Sequence, residues 1–94
     1  LTVDDDCVTV TFDSSASPMK IGLMNTLGVV RAYNHGLVFT KSWQAEQGDY
    51  PDFSCNTEIY SSHLFTEMET LSPLKALDAG ECAVHTEVWT LSKE

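Results

Sequence analysis

Apolar and polar residues alternate along most of this chain, in short runs that stop at turn residues. A period of two marks a half-buried strand, because successive side chains leave opposite faces of the backbone. Residues 7–12 (CVTVTF), 20–23 (KIGL), 29–33 (VVRAY) and 36–43 (GLVFTKSW) are the first four such runs. Residues 55–61 (CNTEIYS) and 64–71 (LFTEMETL) follow, and 81–91 (ECAVHTEVWTL) is predicted to be the longest strand. Loops are predicted at 14–18 and 46–54, and turns at 25–28 and 78–80. Asn34-His35-Gly36 reads as a tight connection, since Asn and Gly tolerate positive φ. Helical spacing is nearly absent; only 72–78 (SPLKALD), with its early Pro, competes as a helical turn. Seven of the eight Val, both Ile and eight of the ten Thr lie within these runs and favour strands. The pattern predicts one small all-β domain over residues 1–94, an antiparallel β-sandwich of about seven strands.

Alternation also sorts side chains by face. Cys55, Thr57, Ile59, Leu64, Thr66, Met68, Cys82, Val84, Thr86 and Val88 form a small, apolar set suited to a core. The opposite set is Asn56, Glu58, Tyr60, Phe65, Glu67, Glu69, His85, Glu87 and Trp89, with Phe39, Lys41 and Trp43 as further candidates. Carboxylates, an amide, an imidazole and aromatic rings on one surface suit a saccharide. Aromatic faces stack on C–H-rich sugar faces while carboxylates and amides bind paired hydroxyls. The competing reading is an ordinary solvated sheet face. Charge density separates the two, because neighbouring glutamates repel and need a cation, water or ligand. Lys41, Asn56, Glu58, Glu67, Glu69, His85 and Glu87 are therefore the candidate ligand-binding residues. Glu58 and Glu69 are expected beside Lys41 on the same face, with Lys20 as the other available cation.

Charge narrows the classes of partner. Five Lys and Arg against fourteen Asp and Glu give 5 − 14 = −9, which disfavours nucleic acid and anionic membrane surfaces. No apolar run approaches the roughly 20 residues of a membrane span. The opening Leu-Thr-Val-Asp-Asp-Asp lacks the basic start and apolar stretch of a signal peptide, so a cytoplasmic location is expected. Cys7, Cys55 and Cys82 are too few and too scattered for a zinc site or a disulfide framework, and are expected to be buried and reduced. His63, His85 and a Glu have no recognisable metal-ligand spacing. No nucleophile elbow or glycine-rich phosphate loop is present, and no metal, cofactor or catalytic residue is assigned.

Several motifs share an order with a known family: Lys20-Ile21-Gly22-Leu23-Met24-Asn25, Val38-Phe39-Thr40-Lys41, Tyr50-Pro51-Asp52 and Cys55-Asn56-Thr57-Glu58. Glu67–Leu74 (EMETLSPL), Ala79-Gly80-Glu81 and His85–Leu91 (HTEVWTL) continue it. From Lys20 onward the chain resembles the C-terminal region of an uncharacterised bacterial domain family related to galactose mutarotase-like, or aldose 1-epimerase-like, proteins. The resemblance implies part of an antiparallel supersandwich that binds carbohydrate in a polar, sheet-lined cavity. In true mutarotases a glutamate base and histidine acids open and close the sugar ring. None of those catalytic residues maps onto this chain.

Three functions remain open at this point: a carbohydrate- or small-polar-ligand-binding domain, a structural or interaction module without ligand, and an epimerase-like enzyme. A small domain with sheet edges is also expected to form a homodimer, since the unguarded strand carrying Val84, Val88, Trp89 and Leu91 invites pairing.

Overall fold

The computed structural model describes residues 1–13, 15 and 17–94. Of the loop predicted over 14–18, residues 14 and 16 lie outside the described residues. Eight strands build three antiparallel sheets: β1 (Thr2–Val3), β2 (Val8–Thr9), β3 (Met19–Leu23), β4 (Val29–Asn34), β5 (Leu37–Ser42), β6 (Thr57–Ser61), β7 (Thr66–Thr70) and β8 (Val88–Lys93). β1 and β2 form a two-stranded hairpin, β3-β6-β7 one three-stranded sheet, and β4-β5-β8 another. The chain is all-β and antiparallel, as its alternation predicts.

Local chemistry explains the turns. The Asp4 carboxylate accepts the backbone N–H of Asp6 (2.9 Å) and of Cys7 (2.8 Å), so the acidic start closes the first hairpin rather than merely facing solvent. His35 (φ 52°) and Gly36 (φ 74°) make the two-residue turn between β4 and β5. The Ser62 hydroxyl accepts the N–H of Leu64 and Phe65, at 3.2 and 3.3 Å, and turns β6 into β7. Gly80 (φ 87°) serves the predicted turn at 78–80, where the Glu81 N–H reaches the Asp78 carbonyl.

Four expectations are corrected. Of the strand predicted over 7–12, only Val8–Thr9 pairs, with Thr2–Val3. The last strand begins only at Val88, because its ladder partner β5 ends at Ser42, directly opposite. Beyond that point Trp43 leaves the ladder and buries itself, so residues 81–87 have no strand to pair with. Residues 72–78 form no helical turn; the one helical turn among the described residues lies instead at Pro51–Ser54, inside the predicted loop. Its Asp52, Phe53 and Ser54 all carry left-handed φ, between 52° and 66°, a conformation that costs a non-glycine residue about 1–2 kcal/mol. Cys7 and Cys82 are exposed and Cys55 half-buried, all free, so burial does not protect two of the three thiols.

The apolar core is thin. Trp43 and Tyr50 are the buried hydrophobic residues, while Asn56, Thr57, Glu58, Ser61 and Ser62 are buried polar ones. Val84 and Val88, assigned to the core by alternation, are largely exposed. The two larger sheets meet through side chains of β5, β7 and the approach to β8: Lys41 Nζ donates to the Met68 carbonyl (2.7 Å), and Thr70 holds both His85 and Glu87.

Candidate functional site

All the candidate residues except Asn56 fall into two clusters on opposite faces of β7. In an antiparallel ladder directly paired residues project to the same side. Gly22, Glu58 and Glu69 are paired across β3, β6 and β7, as are Lys20, Tyr60 and Glu67 one step along. Glu58, Glu67 and Glu69 therefore share a face with Lys20 and Tyr60, and Phe65 packs on Tyr60 with ring centroids 5.8 Å apart. Thr70 points the other way, toward His85 and Glu87, and Lys41 reaches the backbone carbonyl of Met68.

The cation of the first cluster is Lys20. Its Nζ lies 3.1 Å from Glu69 and 3.8 Å from Glu58. The expected neighbour, Lys41, is committed elsewhere, because β5 belongs to the other sheet. The hydrogen bond to Glu69 raises the Lys20 pKa, with burial opposing it and the nearby carboxylates adding to it. Glu58 is buried, and that burial pushes its pKa up; the Asp52 carboxyl beside it adds to the rise, while Lys20 offsets part of it.

The second cluster is built by strand ends. Glu87 accepts from the Thr70 hydroxyl and, at 3.0 Å, from the Trp89 indole N–H, with Lys41 Nζ at 3.9 Å. Since the Thr70 hydrogen goes to Glu87, its oxygen accepts from His85 Nε2 at 2.8 Å. Lys41 also sits 5.2 Å from the Trp89 ring centroid, and Trp89 meets Phe39 edge-on at 5.6 Å. Burial alone would raise the Glu87 pKa. Hydrogen bonds from Thr70 and Trp89, together with the charges of Lys41 and His85, outweigh it and hold the carboxyl below the usual range.

These opposite shifts predict opposite pH behaviour. From the ordinary glutamate value of 4.5 up to the raised Glu58 value, the folded chain keeps a proton that the unfolded chain has released. Stability from Glu58 is thus complete at low pH and lost as pH rises through that window. Glu87 contributes above 4.5 and loses its contribution as pH falls through its lowered value. Glu58→Gln should therefore exceed the parent in stability at pH 7, with the advantage fading toward pH 4. Glu87→Gln should lose about 1–2 kcal/mol at pH 7, a deficit that shrinks on acidification. Urea melts at several pH values, followed by tryptophan fluorescence, check both signs; parallel pH curves for all three proteins would refute them.

Asn56 is not available to a ligand. It is fully buried, its Oδ1 accepts the Asn25 N–H (2.7 Å) and its Nδ2 donates to the Asn25 carbonyl (2.9 Å). Asn25 in turn shapes the 25–29 turn, accepting from Leu27 and Gly28 and donating to the Val29 carbonyl. Asn56 is a latch between two chain segments rather than a surface amide.

His85 opens onto a cleft of about 170 Å³, lined by the polar Gln44, Glu46, Tyr50, Ser72 and Thr86 and by the apolar Leu71, Pro73 and Val84. The loop bearing Tyr50 is fixed by the phenol hydroxyl donating to the Glu46 carbonyl (2.5 Å) and by the Leu74 N–H donating to Asp49 (2.6 Å). On its other side Tyr50 walls a more open and more apolar groove of about 410 Å³ with Met24, Asn25 and Gln47. Gln44, Glu46, Tyr50 and Ser72 were missed in the sequence because they lie in loops without periodicity. The aromatic Tyr50 inside a polar loop is the only signal that pointed there.

Among the described residues no group of three His, Cys, Asp or Glu side chains converges into a metal site, and no helix is long and apolar enough to cross a membrane. The class defined so far is an antiparallel all-β protein with a small polar cleft beside a part-buried ion pair. No protein-family model, curated protein or solved structure matches the chain.

Proposed function

We propose that this protein binds a carbohydrate, or a polar ligand of similar size, in the cleft at His85. The observation that carries the reading is the wall chemistry: an amide, a carboxylate, two aliphatic hydroxyls, a phenol and an imidazole converge on one small space. Such a set exchanges hydrogen bonds with paired hydroxyls, while Leu71, Pro73 and Val84 give the C–H face of a sugar ring an apolar surface to lie on. Its volume is below the roughly 300–1,000 Å³ of clefts for drug-sized ligands, which limits the occupant to about one sugar ring. The carboxylate face of Lys20, Glu58, Glu67 and Glu69, with Tyr60 and Phe65, is a separate and open surface, and is the weaker candidate.

Binding is favoured over epimerase-like catalysis by what the acid and base groups already do. Ring opening needs a free base and acid within reach of the sugar. Glu87 is occupied by Thr70, Trp89 and Lys41, and His85 Nε2 by Thr70. For a ring of about 12 heavy atoms at roughly −0.3 kcal/mol each, affinity should be in the millimolar range. Titration with galactose and glucose, followed by amide NMR shifts, should move Ser72, His85 and Thr86, and His85→Ala should weaken binding about tenfold. Polarimetry should show unchanged anomer exchange. Shifts confined to the Glu58–Glu69 face, or none at all, would reject the cleft. Self-association as a homodimer is the second reading, favoured by the outer edge of β8, which carries no charge before Lys93.

A further inference from the structure

A three-stranded sheet has two edges, and proteins normally guard such edges with charge. β3 carries Lys20, β4 carries Arg31, and β7 carries Glu67 and Glu69, each within the strand. β8 reads Val88-Trp89-Thr90-Leu91-Ser92 before its first charge at Lys93, and every residue in it is exposed. It is the outer strand of β4-β5-β8. Of the four edges of the two three-stranded sheets among the described residues, β8 is the one with no charge before its last residue, and it is also an apolar one.

The ladder states which backbone groups that edge offers. Just past β8 the Glu94 N–H donates to the Gly36 carbonyl (2.9 Å), which marks that position as a hydrogen-bonded pair. Bonded and non-bonded pairs alternate along an antiparallel ladder. Val88, Thr90 and Ser92 therefore spend their backbone groups on β5, opposite Ser42, Thr40 and Val38. Trp89, Leu91 and Lys93 turn theirs outward, and no other backbone hydrogen bond reaches them among the described residues. Their side chains share one face with Phe39 and Lys41. Trp89 is 63% exposed and Leu91 66%.

Surface area is in excess as well. A compact chain of 10.4 kDa should expose about 5,400 Å², and this one exposes 7076 Å². The difference, about 1,700 Å², is roughly twice the 800 Å² that each partner contributes to an interface of standard size.

We infer that a second copy of this chain covers the edge: β8 pairs antiparallel with its own symmetry mate about a two-fold axis at Leu91, which joins the two sheets into one of six strands. The inference rests on the homodimer reading and is independent of the sugar cleft. With Leu91 on the axis, Leu91 meets Leu91 of the mate, and Trp89 faces Lys93 of the mate at both ends. All six outward-facing residues become hydrogen-bonded pairs. Lys93 then supplies a cation to the exposed Trp89 ring and brings opposite character to each end of the contact. Moving the axis by one residue, to Thr90, would pair backbone groups already spent on β5 and leave the outward-facing ones unsatisfied.

Sedimentation and residue-resolved amide exchange on the full 94-residue chain test the pairing. Sedimentation should give twice 10.4 kDa, about 21 kDa, at about 500 μM. Amide exchange at Trp89, Leu91 and Lys93 should slow at least about tenfold between about 5 and 500 μM, while Val88, Thr90 and Ser92 keep the protection that β5 provides. Leu91→Lys, which places like charges on the axis, should sediment as a monomer; the parent's exchange pattern is decisive even if that variant misfolds. A monomer at the higher concentration would overturn both the homodimer reading and this interface. A dimer whose Trp89, Leu91 and Lys93 amides exchange freely would overturn the interface alone.

Discussion

Gly28→Ala is expected to lose about 3–5 kcal/mol of stability and to leave much of the chain unfolded at room temperature. Gly28 is buried at φ 70°, in the left-handed region. A Cβ there would stand 2.1 Å from the Trp43 carbonyl oxygen, which is backbone and has nowhere simple to go. The same glycine accepts the Trp43 N–H at 2.9 Å and donates its own to Asn25 Oδ1 at 3.0 Å. It thereby seats one of only two buried apolar side chains among the described residues. Proteins of this length have about 5–14 kcal/mol in total, and a core this thin argues for the lower end. Gly36→Ala is the matched control. Gly36 has φ 74° but nothing within 4 Å of its added Cβ, so only the conformational cost of about 1–2 kcal/mol applies. Urea denaturation with circular dichroism compares them, and equal losses would show that the contact with Trp43 is not what matters at Gly28.

Asn56→Asp should have the second largest effect, a loss of about 3–5 kcal/mol at pH 7 from a change that adds no volume. The substitution removes the Nδ2 donor from the Asn25 carbonyl and places a carboxylate where nothing is exposed to water. The remaining oxygen would still accept from the Asn25 N–H. Burial disfavours the charged form, so the introduced carboxyl should titrate well above its ordinary value, and once protonated it regains a donor. Much of the loss relative to the parent should therefore be recovered at pH 4 to 5. Asn56→Ala, which cannot titrate, should show no such recovery. If Asn56→Asp is as stable as the parent at pH 7, Asn56 does not latch the two segments together. That result would restore it as a candidate surface group.

The pair also shows what each kind of information can carry. Alternation placed Glu58, Glu67 and Glu69 on one face because a strand's side-chain period of two is a local property of the backbone. The hairpin at His35-Gly36, the turn at 78–80 and the all-β class are legible for the same reason: each needs only a few adjacent residues. The strand limits were less so. Residues 81–87 alternate as well as any strand, yet a strand exists only where another offers a ladder, and β5 stops at Ser42.

What only the tertiary structure decided was which strands became neighbours. Lys20 and Lys41 are both lysines in the same alternation pattern, and nothing local says which one meets the glutamates. Pairing of β3 with β6 gave Glu58 and Glu69 to Lys20, while pairing of β5 with β8 gave Lys41 to Glu87. Asn56 looked like one more polar residue on a binding face until the chain closed over it and spent its amide on Asn25. Gln44, Glu46 and Tyr50 came together with His85 from separate loops, which carry no period to read. The sequence alone determined the all-β class, the tight turns at 35–36 and 78–80 and the alternation of side chains within a strand, because those follow from bonds between near neighbours. Partners, counter-ions and the cleft depended on contacts between residues far apart in the chain, whose geometry is set only when the sheets assemble.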